Sequence, residues 1–352
     1  MTPLARPMPL GPVMLDVAGL ELSAEERDLL LHPAVGGVIL FARNYAEPVQ
    51  LCELTRSIHA LRSPALPIAV DHEGGRVQRF RAGFTRLPPM ASLGRLWDQD
   101  PADACEAARA VGFVLASELR AHGVDFSFAP VLDLDHGRSG VIGDRALHAE
   151  PEAVCALAGA LVEGLGQGGC AAVGKHFPGH GWAEADSHTA LPVDSRSLQQ
   201  IEARDLSAFA CLTGKALAGI MPAHVLYPAV DSVTAGYSRL WLKDILRGRL
   251  GFQGIVFSDD LCMVGAHGVG GIVARGRQAL DAGCDVVLVC NDPRAAVELV
   301  AGLHRSCPPA TLSAFARLHG RPHAAPMSAL QRQAPYREAS RVVAGLSSTR
   351  AA

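Results

Sequence analysis

Short apolar runs alternate with helical stretches along most of the chain, and this alternation constrains the fold more than any other feature. The runs lie at 12–15, 37–41, 67–70, 125–132, 170–173, 218–221, 254–257 and 285–289. Most are too short for core helices and rich enough in Val, Ile and Phe to be strands buried on both faces. Between them lie helical stretches at 23–32, 47–62, 101–122, 151–168, 196–213, 239–250, 271–282 and 293–304. Asp100-Pro101 and Asp292-Pro293 each place a capping carboxylate before a proline suited to the first helical position, and Glu150-Pro151 is a weaker start of the same kind. Gly36-Gly37, Gly168-Gly169, Gly254 and Gly283 precede strands, where glycine suits the turn out of a helix. Alternating strand–helix units of this number predict a parallel sheet closed into a single-domain (β/α)8 TIM-type barrel. An open doubly wound sheet would favour a phosphate-binding glycine fingerprint. The nearest stretch, Val70-Asp71-His72-Glu73-Gly74-Gly75, spends its turn on carboxylates that would repel a pyrophosphate. The expected organisation is a catalytic barrel over 1–305 and a C-terminal extension over 306–352. Pro308-Pro309 and 320–326 read as connections, 336–346 as one amphipathic packing helix, and the last residues as a mobile tail.

Composition narrows the partners. The chain has 352 residues, 49% of them hydrophobic, and a formal net charge of −3, so it offers no basic footprint for nucleic acid. A small neutral or acidic molecule suits it better. The nine cysteines are odd in number and form no Cys-x-x-Cys pair, which predicts reduced thiols rather than a disulfide framework or a cysteine zinc site. Pro7, Pro9, Gly11, Pro12 and Asp16 interrupt the N-terminal apolar stretch. No run approaches the ~18 apolar residues of a spanning helix. The expectation is a soluble, cytoplasmic monomer that does not engage a membrane.

In a barrel the C-terminal strand ends converge on one face, where active sites of this architecture lie. Here those ends carry Asp16, Arg43, Asn44, Asp71, Glu73, Asp133, Asp135, Lys175, His176, His224, Asp259, Asp260, Asn291 and Asp292. Some of them must simply cap loops. The densest segment is Lys175-His176-Phe177-Pro178-Gly179-His180-Gly181, followed by Asp186-Ser187-His188. Residues two apart in an extended loop lie on one side, so Asp186 can bond the His188 imidazole, fix its tautomer and raise its basicity. The same tripeptide also suits a turn-stabilising surface pair. Ser258-Asp259-Asp260 closes an apolar strand, so one carboxylate can face the mouth as nucleophile or base while its neighbour bonds a loop; alternatively both cap the loop. Pro178-Gly179 separates His176 from His180 and disfavours the helix that would make them a metal pair, so no metal and no organic cofactor is expected.

Together with 70–79, 257–261 and Met221-Pro222-Ala223-His224, these motifs resemble glycoside hydrolase family 3, and most closely its bacterial β-N-acetylglucosaminidases of peptidoglycan recycling. The resemblance covers nearly the whole barrel, with several motifs agreeing in order. It implies a retaining exo-β-N-acetylglucosaminidase that removes terminal β-1,4-linked N-acetylglucosamine from peptidoglycan fragments, and through wall turnover bears on cell shape and division. It also implies Asp259 as nucleophile and His188, paired with Asp186, as acid/base. The loop that carries Asp186 and His188 beyond Pro178-Gly179 is expected to be mobile when empty and to close over the substrate. Asp71, Arg79, Arg145, Lys175, His176 and His224 would bind the substrate. The chain departs from the family pattern at His72, where Gln is frequent, and at Cys262 and Val264, where Ser and Glu are frequent.

Overall fold

In the computed structural model, which describes residues 5–187, 190–214, 216–321 and 325–348, the strands close on themselves. In chain order they are β1 (Val13–Asp16), β2 (Val35–Leu40), β3 (Ile68–Val70), β4 (Phe126–Ser127), β5 (Ala171–Phe177), β6 (Gly219–Pro222), β7 (Ile255–Asp260) and β8 (Val286–Val289). Each pairs in parallel with its sequence neighbours, and β8 returns to β1. This is the (β/α)8 barrel that the alternation predicts. All of β2 and β8 is buried, as a strand covered by helices outside and side chains inside must be. The lumen is filled by Phe126, Phe128 and Phe257, whose ring centroids lie 5.2–6.0 Å apart. They come from the β4 and β7 regions, which do not pair, so they meet across the barrel axis and make it a packed core.

The local helix signals work where a side chain does the capping. Asp100 accepts from the N–H groups of Ala102 and Asp103, and Asp292 from those of Arg294 and Ala295. Glu150 makes no such bond. Gly169 closes the helix Pro151–Gly168 at φ 94°, and Gly283 ends Ile272–Ala282 at φ 132°.

Other expectations are corrected. Gly36 and Gly37 lie inside β2 rather than in a turn; a Cβ on Gly36 would sit 1.8 Å from the Gly11 carbonyl oxygen, so glycine serves close backbone approach there. The stretch read as one helix over 196–213 is two, Leu198–Ala203 and Asp205–Thr213, broken at Arg204. Pro308-Pro309 opens a helix, Pro309–Phe315, instead of a plain connection. An unforeseen hairpin, His72–Gly74 with Val77–Gln78, follows β3, as does a helix, Ala91–Trp97.

The amphipathic C-terminal helix runs Ala334–Ser348, buries Val343, and donates the Tyr336 hydroxyl to the buried Glu118 carboxylate on the helix Pro101–Ala121. Uniformly reduced thiols are also corrected: Cys155 and Cys211 form a disulfide between the helices Pro151–Gly168 and Asp205–Thr213. Residues 56 apart in sequence become neighbours only once the barrel closes, so their spacing held no signal. Among the described residues, no helix is long and apolar enough to cross a membrane.

Candidate active site

The C-terminal strand ends surround a cavity of about 570 Å³. Asp71 follows β3, the hairpin beyond it supplies Glu73, and Arg79 follows the hairpin. Arg145 descends from the loop after β4, and β5 carries Lys175 and His176. Lys175 is buried, with Nζ 2.8 Å from Asp71 Oδ1 and 2.6 Å from Glu73 Oε1. Arg145 grips both oxygens of Glu73 at 2.8 Å through Nε and Nη2, and Arg79 Nη2 lies 3.3 Å from Asp71 Oδ2.

Three cations thus face two carboxylates under low solvent exposure. Burial alone would push both carboxyls up. Arg145 and Lys175 overcome it at Glu73, Lys175 and Arg79 at Asp71, and both groups are held below the usual carboxylate range. Lys175 is raised, because Asp71 and Glu73 outweigh its burial. Ionised, directional donors and acceptors on one wall are suited to gripping hydroxyl groups by charge-assisted hydrogen bonds.

His176 is oriented from below by Asp133, a fully buried residue six positions beyond β4. Asp133 accepts from His176 Nδ1 at 2.7 Å and from the backbone N–H groups of His176 and His180 at 3.2 and 2.7 Å. An ionised carboxylate only accepts, so Nδ1 of His176 carries the hydrogen. Asp133→Ala would leave buried donors unpaired, at about 1–3 kcal/mol for each. A lowered denaturant midpoint together with weaker substrate binding is the expected outcome, and an unchanged midpoint would contradict this account of Asp133.

On the opposite wall, β7 ends in Asp259 and Asp260, and the structure divides the pair. Asp260 turns Oδ1 to the loop, accepting from the N–H groups of Cys262 and Cys290 at 2.9 and 3.0 Å. Burial, with the neighbouring Asp259 charge added, pushes the Asp260 carboxyl up to about 7 despite those bonds. Asp259 lines the cavity and accepts the Asp260 N–H at 2.8 Å.

The loop after β5 reaches the cavity. Asp186 and Ser187 line the cavity, and the Ser187 carbonyl accepts from Gly265 N–H at 2.9 Å, seating that end of the loop against the segment after β7. His188 lies outside the described residues.

His224, expected among the sugar contacts, is not a wall residue. It is fully buried one layer back, with Nε2 3.1 Å from the Asp260 carbonyl oxygen. A histidine two residues past a strand end reads like its neighbours in sequence; only packing turned it under the β7 loop. At other strand ends the polar groups are spent on each other: Arg43 pairs with Asp16 and donates to Asn291, and Asn44 holds the Val17 and Gly19 carbonyls.

Sequence reasoning passed over Glu73 and Asp133 as site residues, although both stand at strand ends. It weighed His180 only as a metal ligand. His180 lines the cavity, and neither of its ring nitrogens has a protein partner among the described residues. Among those residues no group of three or more His, Cys, Asp or Glu could hold a metal ion.

Residues 12–307 match the glycosyl hydrolase family 3 N-terminal domain. The chain belongs to glycosyl hydrolase family 3. A β-hexosaminidase of Thiobacillus denitrificans is 59% identical over 340 residues, covering 96% of this chain and 95% of the relative. The crystal structure of native NagZ from Neisseria gonorrhoeae superposes with a TM-score of 0.93 at 50% identity, covering 97% of this chain and 99% of that one. NagZ of the same organism in complex with N-trifluoroacetyl-D-glucosamine gives 0.92 at 49% identity, with 97% and 99% covered. The family 3 enzyme described here is therefore a glycoside hydrolase with β-hexosaminidase activity.

Proposed function

We propose that this hexosaminidase is a retaining, exo-acting β-N-acetylglucosaminidase that removes terminal β-1,4-linked N-acetylglucosamine from anhydromuramyl fragments and their peptides during cytoplasmic cell-wall recycling. The observation that carries the reading is the cavity itself. One wall holds Asp259; the other holds Asp71, Lys175, Arg79, Arg145 and His176; and Asp186 and Ser187 bring the loop after β5 to the same cavity. The hydroxyls of one sugar ring suit that polar wall, and the related Neisseria enzyme was crystallised with an N-acylated glucosamine.

In the first step a carboxylate oxygen of Asp259 attacks the anomeric carbon, and the bond to the leaving oxygen breaks as that oxygen takes a proton from His188. In the second step water attacks the same carbon and gives its proton to His188, and the ester to Asp259 breaks. Asp186, two residues from His188, would hold the imidazole tautomer and stabilise the imidazolium between steps. Asp71, Lys175, Arg79, Arg145 and His176 bind and orient the sugar. The reaction as written needs no metal or organic cofactor, and the enzyme would act as a monomer.

The test is release of the aryl group from an aryl β-N-acetylglucosaminide beside the matching β-glucoside, with a chelator in a parallel arm. We expect strong preference for the acetamido sugar and no effect of the chelator. Preference for the glucoside would overturn the substrate assignment, and loss of turnover with the chelator would overturn the metal-free mechanism.

A further inference from the structure

The loop after β5 leaves the barrel at Gly179 and returns at Asp194, and its two ends are joined by one side chain. Arg196 is buried, and its guanidinium bonds Asp194 edge-on, with Nε at 3.0 Å from Oδ1 and Nη2 at 2.7 Å from Oδ2. Its Nη1 donates to Asp205 at 2.7 Å, at the start of the helix Asp205–Thr213. The face of the same guanidinium covers the Trp182 ring, with Cζ 4.6 Å from the centroid. Trp182 stands on the outgoing end of the loop and Asp194 on the returning end.

Both ends are tied to the scaffold as well. The Gly179 carbonyl accepts the Tyr227 hydroxyl at 2.8 Å, and Asp194 N–H donates to the Leu226 carbonyl at 2.9 Å. Arg138 adds a second cation over Trp182, 4.5 Å from its ring, while bonding Glu184 on the loop.

We infer that Arg196, by clamping Trp182 to Asp194, is the positioning residue that sets where the intervening loop presents its proton-transfer group to the glycosidic oxygen. A loop with free ends samples many paths, and pinning both ends removes most of them. Only arginine can do this, because its planar fork takes two carboxylates along its edge while its face stacks on an aromatic ring. The ion cluster adds little net stability over apolar packing of equal volume, but it fixes direction. The inference rests on the reading that this loop carries the acid/base.

The test is the leaving-group dependence of kcat/KM. A dinitrophenyl glycoside leaves without a proton, whereas an alkyl or sugar glycoside needs one. Arg196→Met is expected to lower kcat/KM about 100-fold on the alkyl substrate and to leave it within about threefold on the dinitrophenyl one. Arg196→Lys keeps the charge but not the clamp, and should show the same split to a lesser degree. Trp182→Leu, which spares the ion cluster, should reproduce the split if Arg196→Met fails to fold. Equal losses on both substrates, or none on either, would overturn the positioning role. Asp186→Ala is the reference: if it shows no split, the acid/base reading of the loop fails. If it splits and both Arg196→Met and Trp182→Leu do not, the clamp alone fails.

Discussion

Asp259→Ala is expected to lower kcat/KM by on the order of 10⁵-fold while leaving the fold and the charged wall opposite intact. The side chain stands at the end of β7 on the cavity wall, and its replacement removes no buried ion pair among the described residues; Asp260, not Asp259, holds the Cys262 and Cys290 backbone. Loss of turnover with an unchanged unfolding midpoint would therefore report chemistry. Two further measurements decide the mechanism. A fluorinated glycosyl donor with an activated leaving group should add one sugar mass to the native enzyme, and peptide mapping should place it on Asp259. In the Ala variant, azide should enter the vacated space and return the α-glycosyl azide from an activated aryl substrate. Full activity in the variant, or an adduct on another residue, would remove Asp259 from its role. Attack by the substrate's own acetamide predicts no enzyme adduct at all.

The second large effect is expected at Glu73. Its carboxylate is buried between Lys175 and Arg145, so Glu73→Ala leaves two cations facing each other without a shared partner. Breaking a buried pair from one side costs about 3–5 kcal/mol, which a denaturant midpoint would register, with KM expected to rise because Lys175 and Arg145 both line the cavity.

The pH dependence has a defined sign. Glu73 and Asp71 have folded pKa values below their ordinary values of 4.5 and 3.8. In that window the unfolded chain binds protons that the native state does not, so stability rises with pH there. The contribution is complete above about pH 4.5 and is lost as pH falls through the folded values. Glu73→Gln should flatten this acid limb. An acid limb as steep as that of the native enzyme would show that Glu73 is not the linked group.

The barrel was legible because buried parallel strands leave a local mark. Each is a short apolar run set between capped amphipathic helices, and periodicity and capping act over a few residues. The strand-end motifs were legible for the same reason, since Asp71, Lys175, Asp259 and Asp186 each sit at a fixed offset from an apolar run or within a recognisable motif. That much the amino-acid order determined unaided: a closed (β/α)8 sheet and the rim on which its polar residues would gather.

Tertiary structure alone decided which of those residues meet. Glu73 joins Arg145 across 72 positions, Cys155 joins Cys211, and His224 turns under the β7 loop although it reads like a rim residue. Arg196 reaches Trp182 only because Gly179 and Asp205 pack together at the root of the loop, where a Cβ on Gly179 would lie 2.8 Å from the Asp205 side chain. Contacts of this kind depend on how strands close and how loops return over them. No local pattern encodes that, because each partner's environment is supplied by a segment far away in the chain.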